Sequence, residues 1–163
     1  MAGIATMPAL DAIMLRIERI IETADAALAV SAPAFAHELL LLGEAILENW
    51  LAARGVAPTR GTIEGFRLLA LHRQGAQGDP SFNACRETCR ELVYHQNLVR
   101  LAPAYPEAAR RIRLGAMVAR HLALFIAGKL ESAGFGEFCC SSRPLREHDA
   151  PQPTNAESPR DQE

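Results

Sequence analysis

Leu10, Ile13, Ile17, Ile20 with Ile21, Ala24 and Leu28 recur at three- and four-residue steps, and the same period returns in segment after segment of the chain. That spacing puts apolar side chains on one face of a helix and is incompatible with the two-residue alternation of a half-buried strand. In this first segment Arg16, Arg19, Glu22 and Asp25 take the opposite face, so the pattern predicts an amphipathic helix over 8–29. No alternating run is long enough for a strand, and no internal repeat is visible. Alanine supplies 29 of the 163 residues while Trp and Tyr together supply three, which suits closely packed helices. The reading is an all-α, single-domain, five-helix bundle.

The second helix is predicted over 32–54, with Ser31 as N-cap, Pro33 in the opening turn, and Phe35, Leu39, Leu42, Ile46 and Trp50 facing inward. Gly55 stands where a left-handed residue closes many helices. After a loop over 56–61, Thr62 can cap a short third helix reaching Gln74, and Gly75-Ala76-Gln77-Gly78 breaks it. Gly65 inside that helix costs about 1 kcal/mol relative to alanine, which implies close approach of a backbone or ligand. Asp79 and Pro80 read as cap and first residue of a fourth helix ending near Leu101. The fifth runs from Pro106 to near Gly134, and its apolar residues surround more than half its circumference. A helix of that kind belongs at the centre of a bundle or in a dimer interface, so a homodimer is expected.

The helical domain is assigned to residues 1–140. Residues 141–163 hold four of the ten prolines, one leucine and no other large aliphatic or aromatic residue, and are expected to form a disordered tail. Three arginines and five acids in that tail account for the whole net charge of −2, so the domain itself is neutral. A strongly basic nucleic-acid module is thereby disfavoured. Arg110-Arg111-Ile112-Arg113 is basic, but it lacks interleaved aromatics and reads as a solvated first turn. A spanning helix needs about 20 apolar residues, whereas uncharged stretches such as Ala26 to His37 run to twelve. With acids interrupting the first 25 residues, a signal peptide is not read, and a cytoplasmic protein is expected.

All four cysteines fall in two pairs, Cys85 with Cys89 and Cys139 with Cys140. Cys85 and Cys89 are one helical turn apart and project from one face. If the fourth and fifth helices are antiparallel neighbours, the end of the fifth brings Cys139 and Cys140 beside the first pair. Four thiolates suit zinc or an iron–sulfur cluster. Equally, Cys85 and Cys89 lie on the stripe that continues through Leu92, Gln96 and Val99, where cysteine serves as a small buried residue. A redox-active thiol is the third alternative. No phosphate-binding loop, dinucleotide fingerprint, His-Glu-x-x-His or nucleophile elbow occurs. The expectation is therefore a non-catalytic interaction or regulatory protein with a protein partner and a thiolate metal site. A scaffold with no bound ion is the plainer variant.

Arg90, four residues, then His95 resembles the arginine-to-histidine motif of the HEPN superfamily of small helical ribonucleases and nucleotide-binding proteins. The family's fold is also a short helix bundle. The resemblance implies Arg90 and His95 as the pair that contacts and cleaves an RNA phosphodiester. Glu91 follows the arginine where the family prefers a small polar residue, and Arg67 with His72 repeats the spacing. Most of the unusual residues fall within 55–100. There Asn83, Arg86, Arg90 and Tyr94 recur along one flank of the fourth helix and mark the expected working surface. His121, in a largely apolar helix, is expected as a core or interface histidine.

Overall fold

A computed structural model describes residues 8–104 and 107–134. Among them the chain is helical with no strand. Six α-helices appear in order, α1 (Leu10–Glu22), α2 (Asp25–Val30), α3 (Ala32–Ala53), α4 (Arg67–Ala76), α5 (Arg86–Leu101) and α6 (Glu107–Ser132), with a 3-10 segment at Pro80–Cys85 leading into α5. The tail expected from residue 141 lies outside the described residues.

The first predicted helix is two. The chain is extended at Thr23 and Ala24, and α2 starts afresh at Asp25. The break stands because its exposed carbonyls have partners. Arg113 of α6 donates from Nε to the Ile21 carbonyl at 3.2 Å and from a terminal nitrogen to the Thr23 carbonyl at 2.9 Å. The same guanidinium reaches Asp25. Arg113 is therefore a structural clamp and not part of a solvated basic turn. Arg113→Met keeps the aliphatic stem and removes both bonds, so it should cost about 1–2 kcal/mol in urea unfolding. Loss of helical signal confined to the first 30 residues, read by hydrogen exchange, would locate the effect.

The second predicted helix matches α3, which Gly55 closes at φ +70°. Ser31 stands at its N-cap, yet its side chain makes no capping bond. The third starts later than Thr62 implies. Ile63 and Phe66 exchange both backbone hydrogen bonds around Glu64 and Gly65, each with positive φ, so these residues form a tight turn and α4 begins only at Arg67. Gly65 is thus a turn residue, and a Cβ there would meet nothing within 4 Å. The close approach occurs instead at Gly75, where a Cβ would lie 2.8 Å from Cε1 of Phe82. The expected fourth helix is divided as well: Asp79 caps through its bond to the Ser81 amide, Pro80 leads, and a six-residue 3-10 segment precedes α5.

Helix α6 is central, touching α1, α2, α3 and α5. Its buried residues are mostly small: Ala108, Ala109, Gly115, Ala116, Ala119, Ala123 and Gly128 accompany Ile112, Leu122 and Ile126. Small residues let neighbouring backbones come near, as where Leu39 and His95 approach Gly115. The larger apolar side chains Leu114, Val118, Leu124, Phe125 and Leu130 are only half-buried, and Met117 is exposed. No helix among the described residues is long and apolar enough to cross a membrane.

Candidate functional site

The end of α6 and the start of the α5 segment are fastened together. Lys129 binds the Asp79 carboxylate and donates to the Ser81 hydroxyl at 2.7 Å. Phe125 of α6 meets the Phe82 ring edge-on, with centroids 5.6 Å apart. The antiparallel arrangement needed to bring Cys139 and Cys140 toward Cys85 is therefore present as far as Gly134. Cys139 and Cys140 themselves lie outside the described residues.

Phe82 organises the interior beneath that junction. Its ring is fully buried and packs against Trp50 and His72 as well as Phe125. Within the 3-10 segment the Phe82 carbonyl takes two side-chain donors. The Cys85 thiol lies 3.2 Å from it, and His72 Nε2 lies 2.9 Å from it. A carbonyl only accepts, so Nε2 carries the hydrogen.

Cys85 and Cys89 are both buried free thiols within the apolar core. Cys89 donates to the Cys85 sulfur, and that bond, aided by His72 and opposed by burial, lowers Cys85 to about 6. The same bond and burial push Cys89 well above the ordinary thiol range. Burial alone would lower His72, but the Cys85 thiolate and the Phe82 carbonyl hold it above its usual value. The result is an unequal pair, Cys85 shifted toward the thiolate and Cys89 toward the protonated thiol. Among the described residues no three His, Cys, Asp or Glu side chains are placed to hold a metal ion together, so any complete coordination requires further donors.

Above this cluster opens a cleft of about 380 Å³ between α4 and the α5 segment. Asn83, Arg86 and Arg90 line it, as their helical spacing anticipated, while Tyr94 does not. His72, Arg73 and Gln77 complete its polar lining from the α4 side. Sequence reasoning did not join these to the α5 flank, because only the packing of α4 on α5 brings them together. The neighbourhood of His72 and Cys85, thirteen residues apart, has the same origin.

Arg90 and His95 are not brought together within the chain. Five residues on a helix rotate a side chain by about 140°, which sends the two to different faces. Arg90 lines the arginine cleft and pairs with Glu64 at 3.5 Å. His95 is buried, with Nε2 3.6 Å from Glu91, and burial pushes it below its usual value. It borders a second furrow of about 340 Å³ between α5 and α6, shared with Thr88, Glu91, Met117 and His121. His121 is exposed there and is not a core histidine. Comparison with protein-family models, curated proteins and solved structures finds no match to this chain.

Proposed function

We propose that this chain is a non-catalytic helical regulatory protein whose responsive element is the Cys85–Cys89 pair, prepared to take a soft metal ion. The observation that carries the reading is a pair of buried free thiols one helical turn apart, with His72 on the same Phe82 carbonyl as Cys85; contact between the thiols lowers Cys85 and raises Cys89. Thiolate is the form that zinc and iron bind, and binding releases the remaining proton. Two sulfurs one turn apart supply half of a four-sulfur zinc or iron–sulfur site. Cys139 and Cys140 are the donors proposed for the other half. Support comes from the return of α6 to Asp79 and Ser81, and from the span between Gly134 and Cys139, at most roughly 18 Å of extended chain. Metal would then staple the segment after α6 to the bundle, and metal supply would control what that segment can engage.

A protein partner, a homodimer and a reducing cytoplasmic setting belong to the same proposal. The α5–α6 furrow, with Met117 exposed at its edge, is the surface proposed for self-association. Full-length protein purified without oxygen should contain about one zinc ion per chain, or iron with a cluster's visible absorption. The Cys85→Ser/Cys89→Ser variant should lose it. Protein that purifies metal-free, or a double variant that keeps its metal, overturns the metal reading.

A further inference from the structure

Arg73, Arg86 and Arg90 line one concave cleft, and no acidic side chain lines it with them. Arg86 and Arg90 stand one turn apart on α5, and Arg73 comes from α4, so the packing of two helices holds like charges together. Among the described residues Arg73 and Arg86 have no acidic partner within salt-bridge distance, and only Arg90 is paired, with Glu64 at 3.5 Å. The chain as a whole is slightly acidic, with a pI near 6.2, so this is a local departure from its charge balance. Like charges gathered in a concave site repel one another and focus a positive potential outward. An anion relieves that repulsion.

We propose that this cleft binds a small phosphate monoester. The charge arithmetic selects the head group: three guanidiniums less the Glu64 carboxylate leave two positive charges, which a phosphate monoester dianion matches and a single carboxylate does not. Arginine suits the geometry, since its planar fork pairs two N–H donors with two phosphate oxygens. Asn83 and Gln77 add neutral donors to the lining. Ile63, Leu69 and Ala76 supply the apolar part of the lining, which takes the ester's organic body. A cleft of about 380 Å³ admits such a molecule and is of the size ordinary ligand sites have. His72 forms part of the floor, while Cys85 and Cys89 do not line the cleft, so this proposal and the thiol reading fail separately.

The test is calorimetric titration of the full chain with phenyl phosphate, inorganic phosphate and phenol at about pH 8, where a phosphate monoester is a dianion. Phenyl phosphate should bind saturably, inorganic phosphate more weakly, and phenol not at all. Arg73→Gln and Arg86→Gln remove exposed side chains without disturbing the core, and each should weaken phenyl phosphate by at least about tenfold. Arg60→Gln, outside the cleft, should leave it unchanged. Absence of saturable phenyl phosphate binding overturns the proposal. So does binding that phenol matches, or binding that survives in the Arg73→Gln/Arg86→Gln double variant. A phosphorylated RNA oligonucleotide that binds while phenyl phosphate does not would assign the arginines to a nucleic-acid backbone and overturn it as well.

Discussion

Replacing Phe82 with alanine is expected to cost about 3–5 kcal/mol, the range for truncating a buried aromatic residue. For a chain of this length that corresponds to a fall of roughly 10 °C or more in Tm. The ring is fully buried and touches three aromatic partners on three helices, Trp50, His72 and Phe125. Its loss therefore leaves a cavity that no single helix can collapse to fill. Gly75 sharpens the test. A Cβ there would lie 2.8 Å from the Phe82 ring, so Gly75→Ala should be destabilising in the parent although alanine ordinarily favours a helix. Combined with Phe82→Leu, which withdraws the ring edge, the cost of Gly75→Ala should shrink or reverse. Chemical denaturation of the four proteins in this cycle measures the coupling directly. Additive effects would show that Phe82 and Gly75 do not share a packing constraint.

That contact also shows what was legible in the chain and what was not. Periodicity was enough for α3 and α6, whose apolar stripes are local. It failed wherever a distant residue decided the geometry. The apolar stripe runs unbroken through Thr23 and Ala24, and only Arg113, ninety positions away, makes an interruption stable by taking the carbonyls. The sequence places Gly65 inside a helix and Gly75 at its break, and the structure exchanges them: Gly65 lies in a turn and Gly75 inside α4. One is required by positive φ in a turn, the other by a ring arriving from residue 82. Spacing cannot tell these apart, because the first is a property of the local backbone and the second of tertiary packing.

The candidate site divides along the same line. Asn83, Arg86 and Arg90 share a flank because they share a helix, and that half of the cleft was readable. Arg73 and His72 arrive on α4 and were not. Cys85 and Cys89 were readable as a pair, but nothing local indicates that one sulfur ionises before the other. That difference comes from the contact between the two sulfurs in the buried core and from an imidazole on another helix. The Arg90 and His95 spacing pointed the other way: a sequence motif proposed a pair that helical rotation separates.

The unequal thiols make the second large prediction, in a Cys139→Ser/Cys140→Ser background where only Cys85 and Cys89 titrate. Ultraviolet thiolate absorbance should rise with a midpoint near 6 for Cys85, against an ordinary value of 9.0, and the second rise should come well above that ordinary value. Cys89→Ala removes the largest cause of the depression and should move the Cys85 midpoint upward; His72→Gln should move it the same way by less. Stability must follow by linkage. A group whose folded pKa is depressed stabilises the fold fully above its unfolded pKa and loses that contribution as pH falls through the folded value. For Cys85 the window runs from 9.0 down to about 6. His72, raised by the same contact, has the opposite sign: its contribution is complete below the ordinary imidazole value and fades as pH rises through its raised one. Cys85→Ala measured against this background should therefore lose more stability in mildly alkaline solution than in mildly acidic solution, with the loss growing across the window between about 6 and 9.0. His72→Gln should show its largest loss on the acidic side. A first thiolate that appears only in the ordinary thiol range, or a midpoint that Cys89→Ala leaves in place, would remove the thiol pair as the responsive element.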